Sequence, residues 1–375
     1  MAKLAPEKAE IQTISIQPKL EIKIKIKAFI AQRWLAQWNA THLYRLVGRH
    51  FKALLILATV CLGFYLIRYW LASVSYKQAF KWFFKLRYGE YRDPFINQHR
   101  YEYILSPTVC SQRNFNIFIT VQSGPTNTKR RQVIRASYGS LHRFHGLSIA
   151  LVFMLGSVND SILQEKITRE FRDHNDIVQG NSYDGYTFLN RKHIMAMDWF
   201  LKNCQSDFVV KLDDDTFVNP YRLVDYMSSL KKPVPNMMFC KVMKNEIPVR
   251  EPSSKWHTPY YQYPFQKFPP FCLGFAYVTT PKVWATLYAA SETNRPMDMD
   301  DVYVSAVLGA STGLQLKDIG DLMYDCIKHQ RTVNMESLRR SVLVLDRWNN
   351  CGDQPFKHWE DIKQYYNEKS SVIGF

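Results

Sequence analysis

The sequence feature that most constrains the fold is a strand signal that ends in three consecutive aspartates, Asp213, Asp214 and Asp215. Residues 208–210, Phe-Val-Val, form a short apolar, β-branched run that is typical of a buried strand. Residues 219–220, Asn-Pro, mark a turn and the start of a helix. Ligands gather at the carboxyl ends of strands in α/β sheets, so this pattern predicts a ligand site at the strand end.

Two interpretations of the aspartates are open at this point. Adjacent carboxylates repel one another and lose hydration near a core, and a bound cation offsets both costs. Hard divalent ions such as Mg²⁺ or Mn²⁺ favour oxygen ligands and bridge carboxylate to phosphate. A solvated acidic turn after a strand is the simpler alternative.

Strand and helix signals alternate ahead of this strand, from about residue 116. Strands are predicted at residues 117–121, 148–155 and 177–178, and helices at 128–138, from 160 or 161 to 171, and at 186–203. This βαβαβ order predicts a parallel sheet covered by helices on both faces. His193 falls on the inner face of the third helix, where we expect a core or hydrogen-bonded histidine and not a metal ligand.

The first strand–helix junction carries basic residues where a dinucleotide site would carry glycines. It lacks the Gly-x-Gly-x-x-Gly fingerprint, which disfavours a dinucleotide-dependent dehydrogenase. Arg131 and Arg135 are one helical turn apart and share a face. Two guanidinium groups in that arrangement suit a pyrophosphate, and a solvated basic helix face is the alternative.

Three further features lie after the aspartates. Residues 256–268 are rich in aromatic side chains, which either stack on sugar rings or fill a core. Gly274 interrupts a strand signal and would let a ligand approach the backbone. Asp300 and Asp301 open a helix; carboxylates are stabilised there in any case, but a second acidic cluster also suits a general base beside a metal site.

The first hundred residues predict a membrane anchor. The apolar run 53–67, extended to residue 76, supplies the roughly 20 residues that a membrane helix needs. It lies too far from Met1 for an ordinary signal peptide, and a buried amphipathic helix is the alternative. We therefore expect a basic cytosolic tail (1–52), a signal anchor (53–76), a stem (77–112) and a luminal domain (113–375). The net charge of +16 suits acidic partners, but no nucleic-acid motif accompanies it.

Cysteines and a sequon are compatible with an oxidising lumen. Six of the seven cysteines lie outside the apolar run, which is an even number but leaves fifteen pairings open. Asn159 begins an Asn-Asp-Ser sequon for N-glycosylation.

Four motifs in order resemble those of the β-1,3-galactosyltransferase-like family, which includes N-acetylglucosaminyltransferases and fringe-type enzymes of the Golgi. Residues 131–139 (RQVIRASYG) resemble the family's Arg-x-x-Ile-Arg-x-Thr-Trp-Gly, and residues 211–219 (KLDDDTFVN) resemble its metal motif. Residues 269–278 (PPFCLGFAYV) are similar to Pro-x-Tyr-x-x-Gly-x-Gly-Tyr-Val. Residues 300–304 (DDVYV) are similar to Glu-Asp-Val-Tyr.

This resemblance implies a GT-A type, Rossmann-like mixed sheet flanked by helices, behind a single-pass type II anchor in the Golgi membrane. It also implies an inverting hexosyltransferase that uses Mn²⁺ and moves galactose or N-acetylglucosamine from a UDP-sugar to a glycoprotein or glycolipid hydroxyl in β-1,3 linkage. Asp215 and Asp213 would meet the metal, and Asp301 would deprotonate the acceptor. The donor side would comprise Arg131, Arg135, Lys211, Asp213, Asp214 and Gly274.

The sequence departs from the family pattern at several positions. Tyr138 stands where Trp is usual, and Ser305 replaces a Gly after the second acidic motif. The late His near the metal has no counterpart in residues 342–347, which leaves Asp346, His329 and His358 as candidate substitutes. These departures motivate an alternative, a catalytically inactive Golgi protein that binds sugar or a partner transferase.

Overall fold

A computed structural model describes residues 25–29, 56–68, 101–111, 114–230, 236–325, 335–345 and 355–373. The chain forms two compact units, Met1–Val74 and Ser75–Phe375. In the first unit the described residues are helical, and the anchor predicted at 53–76 is described only at 56–68. None of the helices in the described ranges has both the length and the apolar character to cross a membrane. The predicted tail and stem lie mostly outside the described residues.

In the described part of the second unit, nine strands form one mixed sheet. Its strands are β1 (Tyr103–Leu105), β2 (Asn114–Gln122), β3 (Arg143–Phe144), β4 (Leu147–Ser157), β5 (Ile177–Tyr183), β6 (Gln205–Asp213), β8 (Met237–Met243), β9 (Phe271–Thr279) and β10 (Gln315–Asp318). The short strands β7 (Thr216–Val218), β11 (Met323–Asp325) and β12 (Leu343–Leu345) form a separate three-stranded sheet.

The strand order is β1-β5-β4-β2-β6-β9-β8-β10, with β3 paired to β4. The segment β5-β4-β2-β6 is parallel, as the alternating strand and helix signals predict. Strand β9 then pairs antiparallel with β6 and with β8, and β1 pairs antiparallel with β5, which makes the whole sheet mixed. Because β2 and β6 are central and parallel, their carboxyl ends meet at one edge of the sheet, with Gln122 opposite Asp213.

Helices cover both faces of the sheet. They are α1 (Thr128–Ala136), α2 (Ser161–His174), α3 (Leu189–Asn203), α4 (Pro220–Ser229), α5 (Pro281–Ser291), α7 (Met335–Arg340) and α8 (Pro355–Ile373). The helix we call α6 begins as Asp300–Val302, continues in π geometry as Tyr303–Leu308 and ends as Gly309–Thr312. One core contains residues of α3, α5 and α6, and the other contains residues of α1, α2, α4 and α8.

Side-chain caps mark the starts of α2 and α4, and one predicted helix start is corrected. The Asp160 carboxylate caps α2 by accepting the backbone N–H groups of Ile162 and Leu163. Helix α1 begins at Thr128, the first residue of the predicted helix, and the Thr128 hydroxyl donates to Glu170 at 3.3 Å. A 3-10 turn, Tyr186–Phe188, precedes α3, so the helix predicted from residue 186 begins at Leu189.

Among the described cysteines of the domain, two disulfides link separate elements. Cys110 is bonded to Cys204, and Cys240 is bonded to Cys272. The first joins the segment after β1 to the end of α3, and the second joins the neighbouring strands β8 and β9. Cys326 and Cys351 lie outside the described residues.

Candidate functional site

The three aspartates at the end of β6 have different environments. Asp213 and Asp215 line a cavity of about 470 Å³. Asp214 is buried, and its carboxylate accepts hydrogen bonds from Ser123 Oγ at 2.7 Å, Asn127 Nδ2 at 2.9 Å and Arg130 Nη1 at 2.7 Å. These contacts fasten the loop between β2 and α1, so the expected donor contact of Asp214 is corrected to a structural role.

Lys211 supports the cavity from inside the sheet. Its buried ammonium donates to Asp213 Oδ1 at 2.6 Å and to the carbonyl oxygen of Gly274. Lys211 therefore fixes the Asp213 carboxylate and ties β6 to β9 directly beneath the cavity. The donor contact expected of Lys211 stays a prediction, because Lys211 does not itself line the cavity and reaches it through its two partners.

Asp300 and Asp301 line the same cavity from the start of α6. The Val302 N–H donates to Asp301 Oδ1 at 2.8 Å. Ser305 Oγ donates to the Asp301 carbonyl at 2.6 Å and accepts the Cys272 N–H at 2.9 Å. The serine that departs from the family's Gly thus joins α6 to β9 at this point.

The Asp301 carboxyl has a strongly perturbed acidity. Burial raises the pKa of Asp301 to about 7, and the neighbouring charge of Asp300 acts in the same direction. A carboxylate whose pKa lies near neutrality accepts a proton far more readily than an ordinary aspartate. Asp301 is thus equipped to act as a general base at the cavity wall.

A chain of hydrogen bonds joins Asp300 to buried side chains of α3, β9 and α5. His193 Nδ1 lies 3.2 Å from Asp300 Oδ2, His193 Nε2 lies 2.6 Å from Tyr277 Oη, and Trp284 Nε1 donates to Tyr277 Oη at 3.0 Å. Burial lowers the pKa of His193, which favours the neutral imidazole. One assignment satisfies every donor: Tyr277 O–H donates to Nε2, and Nδ1–H donates to Asp300. The expectation of a hydrogen-bonded core histidine is confirmed.

Gly274 lines the cavity, and the Asp301 side chain limits the space beside its Cα. A Cβ built on Gly274 would meet the Cβ of Asp301 at 3.2 Å. The expected reason for this glycine was the approach of a ligand to the backbone. The structure shows a different contact, in which the missing side chain leaves room for Asp301.

Two of the arginines of α1, Arg131 and Arg135, do not line the cavity. Arg131 is fully buried and donates to Glu170 Oε1 and Oε2 at 2.8 and 2.7 Å and to the Gly124 carbonyl at 2.6 Å. Arg135 pairs with Glu170 at 2.8 Å and with Asp176 at 2.7 Å. Carboxylates already occupy both guanidinium groups, so the expected pyrophosphate contact is corrected to an ion-pair network that joins α1 to α2.

The cavity also contains residues that the motifs did not single out. Tyr186, Lys255 and Trp256 line it, and they come from the turn before α3 and from the loop between β8 and β9. The aromatic residues of segment 256–268 have different environments: Tyr263 and Phe268 are buried in the core, whereas Trp256 is exposed. Its richness in aromatics was the available signal, but the sequence did not show which rings face the cavity.

The oxygen donors at the cavity fit a divalent cation. Asp213 and Asp215 both present carboxylates there, and hard ions prefer such ligands. Within the described ranges no group of three or more His, Cys, Asp or Glu side chains forms a metal cage. An ion held by the two aspartates would therefore take its remaining oxygens from a ligand or from water.

Two of the remaining expected residues are described by the structure, and neither lines the cavity. Asn159 is exposed between β4 and α2, as a glycan acceptor would need to be. His358 packs against Phe217 with ring centroids 6.1 Å apart and does not line the cavity. The two other candidate substitutes for a late histidine, His329 and Asp346, lie outside the described residues.

Comparisons with known proteins agree on one family. A family model described as Galactosyltransferase matches residues 129–319. Beta-1,3-galactosyltransferase 5 of Pan paniscus is 30% identical over 256 residues, covering 65% of this chain and 83% of the relative. Beta-1,3-galactosyltransferase 1 of Mus musculus is 30% identical over 223 residues, covering 59% and 68%. A glycosyltransferase involved in glycosylation of the PBCV-1 major capsid aligns at 13% identity and TM-score 0.34, covering 66% and 98%, a likeness too low to carry an argument.

Proposed function

Because the chain belongs to the galactosyltransferase family and is a glycosyltransferase, we propose that it transfers galactose or N-acetylglucosamine from a UDP-sugar to a glycan hydroxyl. The product would carry a β-1,3 linkage formed with inversion on a GT-A type fold. The observation that carries this proposal is the meeting of Asp213 and Asp215 with Asp301 in one cavity. An acidic pair for the leaving diphosphate and a separate base for the acceptor are what such a displacement requires.

Asp301 has the central role in the proposed reaction. Its carboxylate would accept the proton of the acceptor hydroxyl as that oxygen attacks the anomeric carbon from the side opposite the diphosphate. The raised pKa of Asp301, about 7, suits proton abstraction near neutral pH. Asp300, held by His193, would keep the adjacent charge in place.

Asp213 and Asp215 would hold the divalent cation, which we propose to be Mn²⁺. When bound, the cation supplies positive charge against the departing diphosphate. Lys211 keeps Asp213 oriented toward the cavity through the 2.6 Å contact between Nζ and Oδ1. Preorganised charge of this kind stabilises a leaving group without reorganisation during the reaction.

We also propose a setting for this reaction, the Golgi lumen, with residues 53–76 as a single-pass type II anchor. Structural disulfides are typical of oxidising compartments, and the pairs Cys110–Cys204 and Cys240–Cys272 support this proposal. The exposed sequon at Asn159 supports a luminal domain as well.

The direct test is transfer by the full chain in detergent, with a panel of UDP-sugars and β-galactoside and N-acetylglucosaminide acceptors. UDP release is measured with Mn²⁺ and with a chelator, and product linkage is read by NMR. We expect one donor to be turned over only with Mn²⁺ and acceptor, and Asp301→Asn to abolish transfer while UDP still binds. A folded protein that binds a sugar but turns over no donor would favour the alternative of a binding-only protein.

A further inference from the structure

One cluster at the cavity has no part in the chemistry proposed so far. Tyr186, Lys255 and Trp256 line the cavity together with Asp301, although about 70 residues of chain separate the tyrosine from the other two. Trp256 and Tyr186 are 45% and 42% exposed, which is unusual for large rings that share a concave site. We call these three residues the aromatic rim.

Contacts within the aromatic rim hold its rings in place. The Lys255 ammonium lies 4.7 Å from the ring centroid of Trp256 and 5.6 Å from that of Tyr186. The loop behind them is fastened by Arg250, which donates to the carbonyls of Thr258 and Phe265, the latter at 2.8 Å. Rings held in this way lose little freedom when a ligand covers them.

The aspartates of the cavity act electrostatically on Tyr186. Burial raises the pKa of Tyr186 to about 12, and the charges of Asp301, Asp300 and Asp213 add to the increase in that order. The aromatic rim and the proposed base therefore line the same cavity. A sugar whose hydroxyl reaches Asp301 would extend across this part of the cavity.

We propose that Trp256 is the stacking platform for the acceptor sugar, a hexopyranose that lays an apolar face on the indole, with Tyr186 and Lys255 holding the ring. This inference rests on the proposed function, because it assigns the acceptor side of the same site. Lys255 approaches one face of the indole, and the exposed surface of Trp256 remains available for the C–H groups of a pyranose. The Lys255 ammonium would also donate hydrogen bonds to sugar hydroxyls.

The test compares Trp256→Ala with a matched control, Tyr260→Ala. Tyr260 lies on the same loop and is 67% exposed, but it stacks under Arg250 at 4.0 Å and does not line the cavity. We expect Trp256→Ala to raise the acceptor KM by about tenfold or more while the donor KM changes less than twofold. Trp256→Phe should recover part of the loss, and Tyr260→Ala should leave both constants unchanged.

A binding measurement separates this inference from the proposed reaction. Saturation-transfer NMR with methyl β-galactoside and methyl β-N-acetylglucosaminide reports contact with the full-length protein in detergent, whether or not transfer occurs. A signal that Trp256→Ala removes and Tyr260→Ala retains supports the platform, even if no donor is turned over. An unchanged signal and acceptor KM in Trp256→Ala would overturn it, as would a rise confined to the donor KM.

Discussion

Gly274 faces Asp301 so closely that a side chain would crowd it: a Cβ placed on Gly274 would lie 3.2 Å from the Asp301 Cβ and 3.5 Å from Oδ2. The proposed base therefore occupies its position because β9 lacks a side chain there. Gly274→Ala should push Asp301 away from the acceptor and lower the transfer rate by about tenfold or more, since small misplacements of reacting groups are costly. The measurement is kcat with saturating donor and acceptor.

A second glycine supplies the control for this prediction. Gly309 lies in α6 with Asp301, and a Cβ there would meet only the flexible side chain of Leu314, at 3.2 Å. Gly309→Ala should leave kcat within twofold of the wild-type value. Equal losses of kcat in both variants would show that any methyl group added in or against α6 lowers the rate. The position of Gly274 beside Asp301 would then have no special role.

The acidity of Asp301 predicts the pH dependence of transfer. Its carboxyl must be ionised to accept a proton, so the rate should rise with pH and reach half its maximum near pH 7. Asp300→Asn removes the adjacent negative charge but still offers an oxygen to His193, so the midpoint should move to lower pH. An unchanged midpoint in Asp300→Asn would mean that another group titrates.

The same pKa has a consequence for stability with a definite sign. The folded pKa of Asp301, about 7, is above its ordinary value of 3.8. The contribution of Asp301 to the free energy of unfolding is therefore fully present below pH 3.8 and is lost as the pH rises through 7. Thermal melts of Asp301→Asn and the wild type should converge in acid, and above pH 7 the variant should melt at the higher temperature.

The sequence predicted the parts of the molecule that depend on local pattern. The four parallel strands, the acidic strand end and the helix opened by Asp300 follow from runs of neighbouring residues, and the structure has all of them. His193 was correctly predicted to be buried, but residues 192–200 of α3 are all buried, so the helix has no single inner face there.

Other features depended on partners far away in the chain. Arg131 is buried because Glu170, 39 residues later, neutralises it. Asp214 differs from Asp215 because Ser123 and Arg130 reach it from the loop after β2. The pattern of residues 211–219 alone therefore does not distinguish the environment of Asp214 from that of Asp215.

The different environments of Asp214 and Asp215 predict different effects of the same Asp→Asn substitution: a loss of activity at Asp215 and a loss of stability at Asp214. Asp215→Asn should reduce Mn²⁺-dependent UDP release by about a hundredfold or more, with little change in melting temperature, because Asp215 lines the cavity. Asp214→Asn should lower the free energy of unfolding by about 1–3 kcal/mol, because its buried carboxylate serves four donors. Thermal melts and initial rates measured on both variants test this prediction. If Asp214→Asn lost activity and Asp215→Asn lost stability, the roles assigned to the two residues would be reversed.

Two sequons on either side of residues 53–76 make the proposed topology testable in cells. Asn159 begins Asn-Asp-Ser in the domain, and Asn39 begins Asn-Ala-Thr in the proposed cytosolic tail. Only a sequon that enters the lumen receives a glycan, and Asn159 is exposed on the folded domain. Asn159→Gln should therefore abolish the mobility shift caused by an N-glycosidase, while Asn39→Gln should leave it intact. A shift that depends on Asn39 instead would reverse the orientation and place Asp301 and its cavity on the cytosolic side, where a luminal acceptor could not reach them.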